Sequence, residues 1–106
     1  MKKDMSPKEV LEGMLRVLRE GDFEHALKHV SKKLASTMST EEFMKFYAGS
    51  EVLAHIQSHE LTEQINGDMA SLTGTVTTDG GKTYPAIVKF TYEDESWQID
   101  EFNFKG

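Results

Sequence analysis

The chain predicts an α+β domain in which three N-terminal helices pack on a four-stranded antiparallel meander sheet. Three observations predict it. Turn signals at Asn66-Gly67, Asp79-Gly80-Gly81 and Asp94-Glu95 divide residues 53–105 into four runs of strand length. Those runs alternate apolar and polar residues, the period of a sheet with one face packed and the other wet. Ahead of them, Ser6-Pro7-Lys8-Glu9 and Ser39 with Glu42 read as capping boxes, which mark helix starts.

The first helix begins at the Ser6 cap with Pro7 in its first turn and stops at Gly21. Val10, Leu11, Met14, Leu15, Val17 and Leu18 give it a broad apolar face. Asp22 caps a second helix, whose Phe23, Ala26, Leu27, Val30 and Leu34 recur at helical spacing. A third, short helix opens at Ser39, carries Phe43, Met44, Phe46 and Tyr47, and ends at Gly49. Val52, Leu53 and Ile56 fit either a helical turn or the start of a strand.

The turns set the expected register. With Asn66-Gly67 as a type I′ loop, Ile65 pairs with Asp68, Leu61 with Leu72 and His59 with Gly74. A three-residue loop at Asp79-Gly80-Gly81 pairs Thr78 with Lys82, Gly74 with Ala86 and Leu72 with Val88. A slip of one residue there would put Val76 and Tyr84 on opposite faces. The Asp94-Glu95 turn pairs Tyr92 with Trp97, Phe90 with Ile99 and Val88 with Glu101. One face then carries Leu61, Ala70, Leu72, Val76, Val88, Phe90, Tyr92, Trp97 and Ile99, and the other a run of threonines and serines. Pro85, Ile87, Phe102 and Phe104 break the pattern by falling on the wet face. Either a bulge near Asp100-Glu101 turns the phenylalanines inward, or Ile87, Phe102 and Phe104 meet a partner.

Composition narrows the function classes. A length of 106 residues fits one domain with a modest core. The absence of cysteine excludes disulfides, thiol catalysis and cysteine-based zinc sites. The net charge of −6 is uneven, +1 over residues 1–50 and −7 over residues 51–106. A sheet half that acidic repels a phosphate backbone and an anionic membrane, so no nucleic-acid partner is expected. No apolar run is long enough for membrane insertion. Met1-Lys2-Lys3-Asp4 fits a natural start, hence a cytoplasmic protein, or a chain from which a leader was trimmed, hence a secreted or membrane-anchored one.

Candidate chemistry centres on histidines. His25 and His29 have the four-residue spacing of a metal pair on a helix, but both point away from the apolar stripe, and no third ligand is suggested. No metal or cofactor is expected. His55 and His59, if on a strand, lie about 13 Å apart, too far to share an ion. In the expected register His59 faces inward opposite Gly74, with Ala86 beyond, two small residues that leave room above the sheet. Gln57, Glu63, Tyr84, Glu101 and Asn103 share that face and would form the polar rim of a hollow, the pattern of a small-molecule site. A histidine near a desolvated carboxylate is also an acid–base pair. The plainer alternative is that these groups reach water at the sheet ends. Phe90, Tyr92 and Trp97 read as core, and Glu93-Asp94-Glu95 as a hairpin tip with too few oxygens for calcium.

Helix–Gly21-Asp22-Phe23–helix, a further short helix, Ile65-Asn66-Gly67-Asp68-Met69-Ala70 leading into a Thr-rich strand, and Glu95-Ser96-Trp97-Gln98-Ile99-Asp100-Glu101-Phe102 together resemble the nuclear transport factor 2-like superfamily. The likeness is nearest to small bacterial domains of unknown function, often found in secreted or lipid-anchored proteins. It implies a cone: a curved antiparallel sheet wrapped around helices, a cavity open at one end, and frequent homodimers through the sheet. The superfamily holds isomerases and dehydratases beside non-catalytic binding domains. The isomerases' inward Asp base with Tyr and protonated Asp partners cannot be placed on this sequence, so no catalytic residue is carried over. Three functions follow in order. The first is binding of a small apolar molecule by Gln57, His59, Gly74, Tyr84, Glu101 and Asn103. The second is a homodimeric assembly module using the outer face through Ile87, Phe102 and Phe104. The third is an isomerase- or hydrolase-type enzyme with His59 or Glu101 as base.

Overall fold

The computed structural model describes residues 5–37, 39–50 and 52–104; the Met1-Lys2-Lys3-Asp4 start and residue 105 of the last expected strand lie outside them. Among the described residues the order is α1 (Pro7–Arg19), α2 (Phe23–Leu27), α3 (Lys32–Ala35), α4 (Thr40–Gly49), a 3-10 turn at Leu53–His55, then β1 (Ile56–Asn66), β2 (Met69–Thr78), β3 (Thr83–Glu93) and β4 (Ser96–Phe104). The strands form one open antiparallel sheet in the order β1-β2-β3-β4. The α+β class and the meander are as expected. The helices number four, not three.

α1 starts and stops as its sequence dictates. Ser6 and Glu9 exchange side-chain to backbone bonds, and Pro7 occupies the first turn. At the other end the Asp22 amide donates to Val17 and the Gly21 amide to Leu18, the paired bonds of a Schellman motif, with Gly21 at φ +79°. α1 lies against β2 and β4, and its Val10, Leu11, Met14, Leu15 and Leu18 are buried in the core with Leu72, Val88, Phe90 and Ile99. Each such side chain contributes roughly 1.5–3 kcal/mol by leaving water. Trp97 and Phe90 belong to this core, and Tyr92 packs on it, edge-on to Trp97 at 5.1 Å.

The expected second helix breaks because Ser31 has a better use than a helix interior. Its side chain caps α3 by accepting from the Leu34 amide, and it donates to Asp100 at 2.7 Å. The segment before it joins the edge of β4. Val30 bridges Ile99, the Ile99 amide donates to His29, and the Ser31 amide donates to Ile99, both at 2.7 Å. Apolar residues at helical spacing therefore run across two helices and a strand-like step.

The β2–β3 hairpin adopts the expected register, and the β3–β4 hairpin does so only as far as Phe90–Ile99, since Val88 meets Phe102 and not Glu101. Leu72 faces Val88 and Gly74 faces Ala86 across β2–β3; Tyr92 faces Trp97 and Phe90 faces Ile99 at the start of β3–β4. The first hairpin differs. Its loop is Gly67-Asp68, with Asn66 paired to Met69, and only Gly67 has positive φ (+65°). Glycine at the first loop position is the type II′ pattern, so Asn66 ends the strand instead of turning. The register moves by two residues: Leu61 faces Gly74 and His59 faces Val76. A shift of two keeps every side chain on its face, which is why the inner apolar set survives.

Of the two arrangements left open for β4, the bulge is realised. The pairing steps from Phe90–Ile99 to Lys89–Glu101, leaving Asp100 extra and tied to Ser31. Beyond the step Phe102 pairs with Val88 and Phe104 with Ala86, so both rings turn to the inner face and pack on the core. Glu101 and Asn103 move the opposite way, onto the outer face opposite Lys89 and Ile87. The 3-10 turn settles the ambiguous 52–56 stretch: Leu53 turns inward and the strand begins at Ile56.

Candidate ligand-binding site

The hollow expected beside Gly74 is not there. Ala86, Leu72 and Val76 are at most 1% exposed, and a Cβ on Gly74 would land well inside van der Waals contact of the Glu60 carbonyl oxygen. Glycine serves close approach of β1 to β2, not room for a ligand. The six residues expected to line one site fall instead in four places.

Gln57 and His59 lie in a groove of about 370 Å³ along β1, shared with Glu12, Leu15, Arg16 and Arg19 of α1. Arg19 donates to the Ile56 carbonyl oxygen. The His59 Nε2 stands 3.7 Å from Glu12, an ion-pair distance but too long for a hydrogen bond. Glu101 is exposed on the outer face, and Gly74 lies within the β1–β2 pairing. Ile87, 37% exposed, stands on the outer face without Phe102 and Phe104, so the apolar patch expected there is dispersed.

Tyr84 and Asn103 belong to the fourth place, an opening of about 380 Å³ between α4 and the ends of β3 and β4. Phe102 and Phe104 line it, their ring centroids 5.9 Å apart, together with Phe46, Ser50 and Val52. Each element delivers its ring for a local reason. The Asp100 bulge turns Phe102 and Phe104 inward at the strand end. Tyr84 opens β3 opposite Val76. On α4, Phe43 is buried and Phe46, 45% exposed, stacks on it at 6.3 Å with the planes 16° apart. That stacking holds the Phe46 ring in place before anything binds. Ser50 accepts from the Leu53 amide at 2.8 Å and fixes the chain turn under the opening.

None of the described lining residues is an acid, a lysine, an arginine or a histidine. The opening therefore offers ring faces, with Tyr84, Ser50 and Asn103 as its polar residues, and suits a flat, largely apolar molecule. Sequence reading missed Phe46, Ser50 and Val52. The sequence places Phe43, Phe46 and Tyr47 on one helical stripe, so nothing in it signals that Phe46 alone would stay exposed at the opening.

His25 of α2 and His29 beyond its end are each engaged locally. His25 meets the Asp22 carboxylate, and its side-chain hydrogen bond, with the bond from its backbone amide, holds the Asp22 carboxyl below its usual range. His29 bonds the His25 carbonyl oxygen at 3.0 Å and lies against Gly13 of α1. Among the described residues no group of three or more histidines and carboxylates converges as a metal site. No helix among them is long and apolar enough to cross a membrane.

A scan of protein-family models and searches among curated proteins and solved structures return no match to this chain.

Proposed function

We propose that this chain is a non-enzymatic binding domain of the nuclear transport factor 2-like type, and that it takes a small, flat, apolar molecule in the aromatic opening between α4 and the ends of β3 and β4. The observation that carries the reading is the convergence of Phe46, Tyr84, Phe102 and Phe104, all partly accessible, on one opening with no acid–base side chain among its described lining. The meander sheet with its helices packed on one face, and an opening at the strand ends, supports the cone-like frame. A binding function without catalysis fits because His59 and Glu101, the two candidate bases, lie outside this opening.

The neutral fluorophore N-phenyl-1-naphthylamine tests it, since its emission rises in apolar surroundings. The unaltered protein should bind the dye saturably. Phe46→Ser removes one ring from an exposed position and should weaken binding about tenfold, the equivalent of roughly 1.4 kcal/mol. Met5→Ser removes an equally exposed apolar side chain that does not line the opening and should change nothing. Equal dye binding by Phe46→Ser and the unaltered protein, or an equal loss in both variants, would overturn the assignment.

A further inference from the structure

The sheet has two edges, and they are finished differently. β4 is covered by the His29–Ser31 segment through the Val30 bridge and two 2.7 Å backbone bonds. β1 pairs only with β2, and its other side meets no described strand. Its pairing is regular from Ser58 to Asn66, and residues 62–66 are exposed throughout. A long regular edge of this kind is a template for another strand.

The hairpin tells which backbone groups are on offer. Asn66–Met69 closes a two-residue loop, and such a closing pair is hydrogen-bonded. The even-numbered residues of β1 therefore bond to β2, and His59, Leu61, Glu63 and Ile65 direct their amides and carbonyls outward.

We infer that the strand that completes this edge is the β1 of a second copy, antiparallel, in the register that sets Leu61 against its partner's Leu61. A two-fold pairing that keeps the inner faces aligned must be centred on one residue. Centres at Glu60 or Glu63 put a carboxylate against its own image. A centre at Thr62 sets Leu61 against the partner's Glu63. Of the centres from Glu60 to Glu63, which keep most of β1 paired, Leu61 alone does neither. It places His59 opposite the partner's Glu63, and Glu63 opposite the partner's His59, while Glu60 faces the partner's Thr62. Opposite or neutral neighbours are favourable across strands, and like charges are not. The same register brings Ile65, 54% exposed, opposite the partner's Gln57 beside the groove along α1. Glu12 lies 3.7 Å from His59, and the Lys8 amide donates to Glu63 at 3.3 Å, so both side chains are already held near the edge. The aromatic opening, on the β3–β4 side, stays free.

Sedimentation velocity over a dilution series measures the association. The unaltered chain should sediment as a dimer that dissociates on dilution. Glu63→Lys, at an exposed position, sets a cation against the partner's His59 and should raise the dissociation constant at least tenfold, with an unchanged far-ultraviolet spectrum. His59→Glu with Glu12→Gln, added to Glu63→Lys, reverses the pair without setting two carboxylates together and should restore association. The chain has no cysteine, so Leu61→Cys reports the register directly. Facing Cα atoms in a bonded pair are about 5.5 Å apart, within disulfide reach, and oxidation should give a covalent dimer. Gln64→Cys, opposite the partner's Ser58, should not cross-link. A monomer at every concentration, an unchanged constant for Glu63→Lys, failure of the reversed pair to restore it, or equal cross-linking of Gln64→Cys would each overturn the inference.

Discussion

The two edges of the sheet show what a covered strand needs that an open one does not. At β4 the chain spends a whole segment on the edge: a helix ends early, Val30 bridges Ile99, and Ser31 holds the Asp100 bulge. At β1 the polar contacts from the helices, among the described residues, run through side chains: Arg19 to the Ile56 carbonyl, Glu12 to His59, and Glu63 back to the Lys8 amide. β1 therefore depends on β2 for its place, whereas β4 is fixed from both sides. That difference lets the β4 end carry a shaped opening and leaves β1 available for a partner.

The strongest way to break the comparison is at Gly74. Alanine there drives a Cβ into the backbone of β1 at Glu60, and backbone cannot give way as a flexible side chain can. Gly74→Ala should cost about 3 kcal/mol in urea unfolding, at the upper end of overpacking effects. Faster amide exchange should be concentrated in β1. Exchange rising equally in β4 would show that the edges are not independent.

Ser31→Ala is the matching change on the covered side. It removes the cap of α3, about 1 kcal/mol, and takes from Asp100 the hydroxyl that steadies the bulge, for a total of about 2 kcal/mol. The amides of Ser31 and Ile99, which bond across the edge, should then exchange faster while those around Gly74 keep their protection. An unchanged Ile99 amide would mean that Val30 alone secures the edge.

The same contrast explains how much was legible in the sequence. The inner face was readable because it rests on a period of two, which survives a register shift of two residues; Leu72, Val88, Phe90 and Ile99 are buried as their spacing requires. The helix starts were readable because capping is local. What escaped was the work of single residues with distant partners. Ser31 reads as helix interior until Asp100 and Ile99 are beside it. Glu101 and Asn103 change faces because one residue, Asp100, is left out of the pairing. The candidate site inherited that error, since its six residues were gathered by parity along strands whose parity breaks at the bulge. Gly74 was read as empty space when its missing side chain is already filled by the neighbouring backbone.

The smallest effect concerns the turns themselves. Asn66-Gly67 carries the favoured type I′ pair, yet the hairpin there uses Gly67-Asp68. Asp94-Glu95 contains no glycine, yet both residues have positive φ, +51° and +64°, as a type I′ turn demands. Glutamate in that conformation is strained by its Cβ, by about 1 kcal/mol. Part of that relief is offset by the greater freedom glycine gains in the unfolded chain. Glu95→Gly should therefore stabilise the protein by about 0.5 kcal/mol, seen as a small rise in Tm, with β3–β4 pairing unchanged. Glu95 is exposed and makes no contact that the substitution would remove among the described bonds. A fall in Tm would mean that the tip draws stability from the glutamate side chain itself. The strained turn sits on the covered side of the sheet, where β4 is held along its length by Ile99, Asp100 and the core; the open β1 side has its glycine in the turn and no such support.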